Sequence, residues 1–162
     1  MHNSGKIVST ETLVADLEQA RRGGKRIVFT NGCFDILHVG HVRYLGAARS
    51  GGDLLVVGLN SDASVKSIKG ERRPLVNQDQ RAEVLASLAC VDYVVVFDEP
   101  DPLRLIRAVR PDILVKGADW SEDDIIGADF VKSTGGKILR VDLVSDASTS
   151  GIIDRILERF CR

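Results

Sequence analysis

The feature that most constrains this chain is an alternation, sustained along its length, between short apolar runs and stretches of helical period. Segments 26–30 (RIVFT), 53–60 (DLLVVGLN), 92–98 (DYVVVFD), 113–117 (ILVKG) and 137–144 (KILRVDLV) are dominated by Val, Ile and Leu. Unbroken apolar runs of this length belong to strands covered on both faces. Leu13, Val14 and Leu17 form a stripe behind Ser9 and Thr10, so the chain opens with a capped helix that Gly23-Gly24 ends. Further helices are expected near 38–50, 77–89, 102–110, 126–133 and 148–160.

Buried strands alternating with helices require parallel pairing through right-handed crossovers. The expected fold is α/β, a single-domain doubly wound parallel sheet of about five strands, Rossmann-like. With 162 residues the chain has the length of one domain with a real core. Residues 1–8 read as an N-terminal tail and 9–162 as the domain. Ligands of such sheets bind at the carboxyl ends of the strands, so chemistry is sought just after Thr30, Gly58, Phe97, Gly117 and Val144.

A net charge of -1 argues against a broad nucleic-acid or anionic-membrane footprint. No apolar run approaches the roughly 20 residues needed to span a bilayer, and the opening MHNSGKIVST lacks a signal-type apolar stretch. A cytoplasmic protein is expected. Cys33, Cys90 and Cys161 are odd in number and contain no CxxC pair, so neither a disulfide framework nor structural zinc is indicated.

Directly after the first strand comes NGCFDILHVGH, Asn31 to His41. It lacks both GxGxxG and GxxxxGK[ST], yet it has the parts of an anion site. Gly32 permits a tight turn, and the helix that follows presents free N–H groups and a positive dipole end. His38 and His41 are three apart and so share a face of its first turn. Gly40 between them lets a ligand approach the backbone closely. Two imidazoles placed there can donate to the oxygens of an α-phosphate as charge builds in a transition state. Two plainer readings compete: solvated loop histidines, or zinc held by His38, His41 and Cys33. Two of the chain's 3 histidines fall in this one turn, and no close metal-ligand pattern accompanies them, which favours phosphate chemistry.

With its HxGH tetrad behind a GxFD turn, the segment resembles the nucleotidyltransferase superfamily of cytidylyl- and adenylyltransferases. The resemblance implies that the two histidines stabilise the pentacoordinate α-phosphorus while a phosphate or carboxylate nucleophile displaces pyrophosphate. Such a nucleophile is already anionic and needs no general base. The turn residues Asn31, Gly32, Cys33, Phe34 and Gly40 are then expected around the nucleotide.

Other stations lie along the same edge. The stretch 60–74 (NSDASVKSIKGERRP) reads as a loop whose cations Lys66, Lys69, Arg72 and Arg73 either bracket a triphosphate or form a solvated surface. Its place beside the histidine turn puts Lys69 in the catalytic group, and the resemblance gives Asp62 and Arg81 active-site roles, although Arg81 could equally be an exposed helix residue. In LVKGADW, Lys116, Gly117 and Asp119 are placed to meet a ligand, with Trp120 either walling the pocket or packing. Ser148, Thr149 and Ser150 start the last helix, where a hydroxyl is ordinarily an N-cap. The resemblance implies that they also hold nucleotide phosphates. Where many relatives carry a basic residue soon after these hydroxyls, this chain has Gly151 and then Asp154-Arg155, which leaves the role of Arg155 open.

The segments VGLNSDASVKSIKGERRP, QRAEVLASL, VDYVVVFDE, PDILVKGADW and STGGKILRV are similar to the adenylyltransferase domain of the ADP-heptose synthase family. That family transfers AMP from ATP to D-glycero-β-D-manno-heptose 1-phosphate, making ADP-heptose for the lipopolysaccharide inner core. The resemblance implies ATP and a sugar 1-phosphate as substrates, Mg2+ arriving with ATP, a homodimer, and a stand-alone form served by a separate heptose kinase and phosphatase. Asp35 is the candidate for contacting the sugar phosphate. The alternatives are a cytidylyltransferase acting on glycerol 3-phosphate or a related phospho-alcohol, and a nucleotide-binding regulatory domain without catalysis.

Overall fold

Each apolar run becomes a strand of one sheet in the computed structural model, which describes residues 4–145 and 147–161. The strands are β1 (Ile27–Gly32), β2 (Leu54–Asn60), β3 (Tyr93–Phe97), β4 (Ile113–Gly117) and β5 (Lys137–Val141). All neighbours pair in parallel, in the order β3-β2-β1-β4-β5. The α/β doubly wound architecture is as expected, with five strands.

Side-chain alternation along β1 divides the core between the two faces of the sheet. Ile27 and Phe29 join Leu13 and Leu17 of α1 (Thr10–Arg22), together with α5 (Leu103–Val109) and α6 (Ala128–Ser133). Val28 points the other way, to Leu45 of α2 (Val39–Arg49) and Leu85 of α4 (Gln78–Ala86). Three carboxylates fix where strands begin. Asp53, Asp92 and Asp112 accept from the backbone N–H of Arg26, Leu55 and Ile27 at 2.7–2.8 Å. The Ser9 side chain caps α1 by accepting from Thr12 N–H at 3.2 Å. Before α1, Ile7 bridges to Val94 at the β3 edge.

Two expectations about local structure need correction. Asn31-Gly32 does not break the first strand, because both residues continue the ladder opposite Gly58 and Leu59 of β2. The stretch 60–74 is not all loop either, since α3 (Asp62–Lys69) starts at a Ser61 cap that accepts from Ser64 N–H. Its apolar anchor is short: Val65 is buried while Ile68 stays exposed, so the charged residues hide the helical period. The last helix, α7 (Thr149–Phe160), buries no residue fully and leaves Ile156, Leu157 and Phe160 exposed.

Candidate active site

The strand order reverses between β1 and β4, and the turn after β1 opens beside that switch point, where ligands of doubly wound sheets bind. A Cβ on Gly32 would come within 3.0 Å of the Phe34 ring, so glycine there lets the ring fold close over the strand end. Phe34 itself has φ 45°, a left-handed conformation that costs an ordinary side chain about 1–2 kcal/mol. What this placement provides is an edge-on contact with His41, centroids 5.2 Å apart at 62°.

His38 is the N-cap residue of α2, in extended conformation and with no capping bond from its side chain. Its ring stacks on that of His41, 3.9 Å between centroids and 25° between planes. Gly40 also makes room inside the turn. A Cβ there would lie 2.9 Å from the His38 ring and 3.3 Å from Ala147 Cβ. Gly40→Ala should therefore push the His38 ring aside. Because alanine also improves helix propensity by up to about 1 kcal/mol, stability is expected to hold or rise while turnover falls at least about tenfold. Melting curves and initial rates on the same variant check both signs.

The Nδ1 atoms of both histidines are buried and have no hydrogen-bond partner. Burial holds His38 below the ordinary imidazole range. Burial, reinforced by the neighbouring His38, lowers His41 to about 4. The free protein thus carries two neutral, under-satisfied imidazoles at a helix N-terminus, where the backbone favours a bound anion.

Across the switch point, Lys116 of β4 reaches back to β1 and donates to Asn31 Oδ1 at 2.6 Å. Its ammonium also lies 5.9 Å from the centroid of the Trp120 ring. Burial lowers Lys116 to about 8, against the opposing pull of Cys33 and Asp119. Trp120 is 47% exposed, so it stands at the rim rather than in the core. A Cβ on Gly117 would collide with the Asp119 carboxylate and with Leu143, so glycine there leaves room for both.

The start of α7 converges on the same place. Thr149 Oγ1 donates to Ile36 O at 3.3 Å, and Ser148 Oγ caps the helix by accepting from Gly151 N–H at 3.0 Å. Ser150 is exposed on the first turn. Arg155 folds back along α7, bringing Nη1 to within 3.7 Å of a Cβ position at Gly151. Among the described residues no three His, Cys, Asp or Glu side chains are grouped to hold a metal ion.

Three expected substrate contacts are instead occupied by the protein. The Asp35 carboxylate accepts from Arg73 Nε at 2.5 Å, from Leu75 N–H at 2.8 Å and from Val76 N–H at 2.9 Å. Burial pushes its pKa up, but those donors together outweigh it and hold the carboxyl below the usual range. A fully buried anion so engaged clamps the loop in the ligand-free protein. Arg81, whose side chain is 0% exposed, donates to Val76 O, Cys33 O and Asn60 O and pairs with Asp62 at 2.7 Å. It joins the turn, the end of β2, the start of α3 and the loop. Asp62 is its counter-ion. Lys69, by contrast, remains exposed at the end of α3, within electrostatic reach of Cys33. Burial raises the Cys33 thiol, while Lys69, Arg81 and Arg73 pull it down.

Two residues in this region have no counterpart among the expectations. Buried Thr30 and half-buried Tyr44 share the carbonyl of Val115. The only signals in the sequence were a hydroxyl ending an apolar strand and a tyrosine three residues after His41.

Residues 29–149 match the model of a family described as cytidylyltransferase-like. The bifunctional protein HldE of Syntrophotalea carbinolica is 57% identical over 155 residues, covering 96% of this chain but 32% of that protein. This chain thus spans about a third of the length of the curated relatives it matches. A lipopolysaccharide core biosynthesis protein from Thermoplasma volcanium superposes with a TM-score of 0.60 at 29% identity, covering 75% of this chain and 98% of the other. The pantoate-beta-alanine ligase of Francisella tularensis, at 16% identity, shares the fold alone, with a TM-score of 0.61 over 96% of this chain and 79% of its own.

Proposed function

The chain belongs to the cytidylyltransferase-like family, and on that footing we propose that it is a nucleotidyltransferase moving AMP from ATP to D-glycero-β-D-manno-heptose 1-phosphate. One observation carries the reaction type: two stacked, neutral imidazoles with unpartnered ring nitrogens at the start of α2, beside the switch point of the sheet. A phosphate oxygen of the sugar attacks the α-phosphorus of ATP. The bond from that phosphorus to the bridging oxygen breaks, and pyrophosphate leaves with the electron pair. The attacking oxygen is already ionised, so no proton must be removed. His38 and His41 supply N–H donors to the α-phosphoryl oxygens, where charge grows as the displacement proceeds. Lys116, Ser148 and Thr149 border the place where the phosphates of ATP would lie, and Lys69 extends the positive field toward the leaving group.

Mg2+ belongs to this reading as the counter-ion that enters with ATP, ligated chiefly by phosphates and water. Support for the heptose acceptor comes from the resemblance to ADP-heptose synthase and from the described role of the Thermoplasma protein. The same reading includes a homodimer, a heptose kinase activity that supplies the sugar 1-phosphate, and a cytoplasmic setting. No helix among the described residues is long and apolar enough to cross a membrane.

A panel of ATP and CTP against heptose 1-phosphate and glycerol 3-phosphate, read by pyrophosphate release, tests the assignment. Release with ATP and the heptose is expected; turnover only with CTP would move the chain to the cytidylyl branch that its family name records.

Nucleotide binding should also take up protons. His41 titrates near 4 in the free protein, and a bound triphosphate favours the imidazolium. Calorimetry at pH 6 in buffers of different ionisation enthalpy should show net uptake that fades above about pH 8. Without ligand the sign is reversed for folding. The unfolded chain titrates its histidines near 6.5, so stability is lost as pH falls from there toward 4. Proton release on binding would contradict the charge state assigned to the pair.

A further inference from the structure

The sheet parts between β1 and β4. Their ladder holds at Val28↔Ile113 and Phe29↔Leu114, although β1 continues to Gly32 and β4 to Gly117. Beyond that point side chains bridge the gap. Thr30 Oγ1 and Tyr44 Oη lie 3.1 and 3.0 Å from Val115 O, and 2.7 Å from each other. One residue further along, Lys116 Nζ crosses to Asn31.

Thr30 is fully buried within β1, where a hydroxyl costs stability unless it is bonded. Here two hydroxyl protons serve three short contacts, so the Val115 carbonyl always accepts at least one bond after losing its neighbour strand. Burial raises Tyr44 to about 12, so it stays a donor at any working pH. Tyr44 is rooted one turn after His41 on α2, while its hydroxyl ends on the residue preceding Lys116. A single side chain thus spans from the histidine helix to the lysine strand.

We infer that Thr30 and Tyr44 are positioning residues, which hold the parted ends of β1 and β4 at the spacing that places Lys116 opposite the histidine pair. This rests on reading the crevice as the nucleotide site.

The test pairs Tyr44→Phe and Tyr44→Phe/Thr30→Val with Lys116→Ala. Tyr44→Phe should lower kcat/KM for ATP about tenfold and the double variant more, with Thr30→Ser close to wild type and all of them folded. In a Lys116→Ala background, Tyr44→Phe should cost at most about twofold, because its effect passes through Lys116. Equal, additive losses in both backgrounds would reduce the pair to general stability and overturn the inference.

A second measurement needs no turnover. In the ligand-free protein the Lys116 ammonium, flanked by Cys33, Asp119 and Trp120, should titrate near 8 by side-chain NMR. In the double variant water enters the loosened gap, and the midpoint should move up toward 10.5. An unmoved midpoint overturns the inference even if the wild type proves to turn over no nucleotide, an outcome that would by itself refute only the assigned reaction.

Discussion

Changing His41 to alanine is expected to slow pyrophosphate release by about 100- to 1,000-fold, while ATP affinity shifts by less than about tenfold. The asymmetry follows from the state of the ring. Neutral in the free protein and packed against His38 and Phe34, it must take up a proton against burial when the triphosphate binds, so its charge adds little net ground-state affinity. Its N–H becomes valuable only as the α-phosphorus gains its fifth oxygen and the equatorial oxygens take up charge. His38→Ala should behave alike, and because the rings are stacked the double variant should lose less than the product of the single losses. Initial rates and nucleotide titrations on the same preparations separate kcat from binding. Unchanged turnover in both single variants would refute the mechanism and favour a domain that only binds nucleotide.

The second large effect is expected on stability. Arg81→Met keeps most of the side-chain volume but leaves the carbonyls of Cys33, Asn60 and Val76 without their donor. Asp62 is 36% exposed and can turn to water, so the orphaned carbonyls account for most of the loss. The cost should be about 3 kcal/mol, or a melting point lower by roughly 6–12 °C for a chain of this size. Arg81→Lys should rescue little, since one ammonium cannot reproduce a fork that reaches three carbonyls and a carboxylate. A variant as stable as wild type but impaired in acceptor binding would return Arg81 to the substrate.

Arg81 also shows where reading the chain as a sequence reaches its limit. The five strands and most helices were legible because burial on both faces leaves unbroken apolar runs, and HxGH was legible because it is local. What Asp35 and Arg81 do was not. Their partners lie 38 to 48 residues away for Arg73 and Cys33, and a charged side chain looks the same in sequence whether it faces a ligand or four backbone groups. Helix α3 was hidden by its own charges, with Val65 its one fully buried apolar residue. The sequence reads Gly40 as room for a ligand; that it also makes room for the ring of His38, two residues before it, shows only in the structure.

The most direct measurement of the central claim follows the α-phosphorus. ATP labelled there is incubated with the purified chain, Mg2+ and D-glycero-β-D-manno-heptose 1-phosphate, and the labelled products are resolved. The account predicts label in a nucleotide sugar, one pyrophosphate released for each, neither product when the sugar phosphate is withheld, and both slowed about 100- to 1,000-fold when His41 is alanine. Pyrophosphate released without the acceptor, or label that never reaches the sugar, would contradict it.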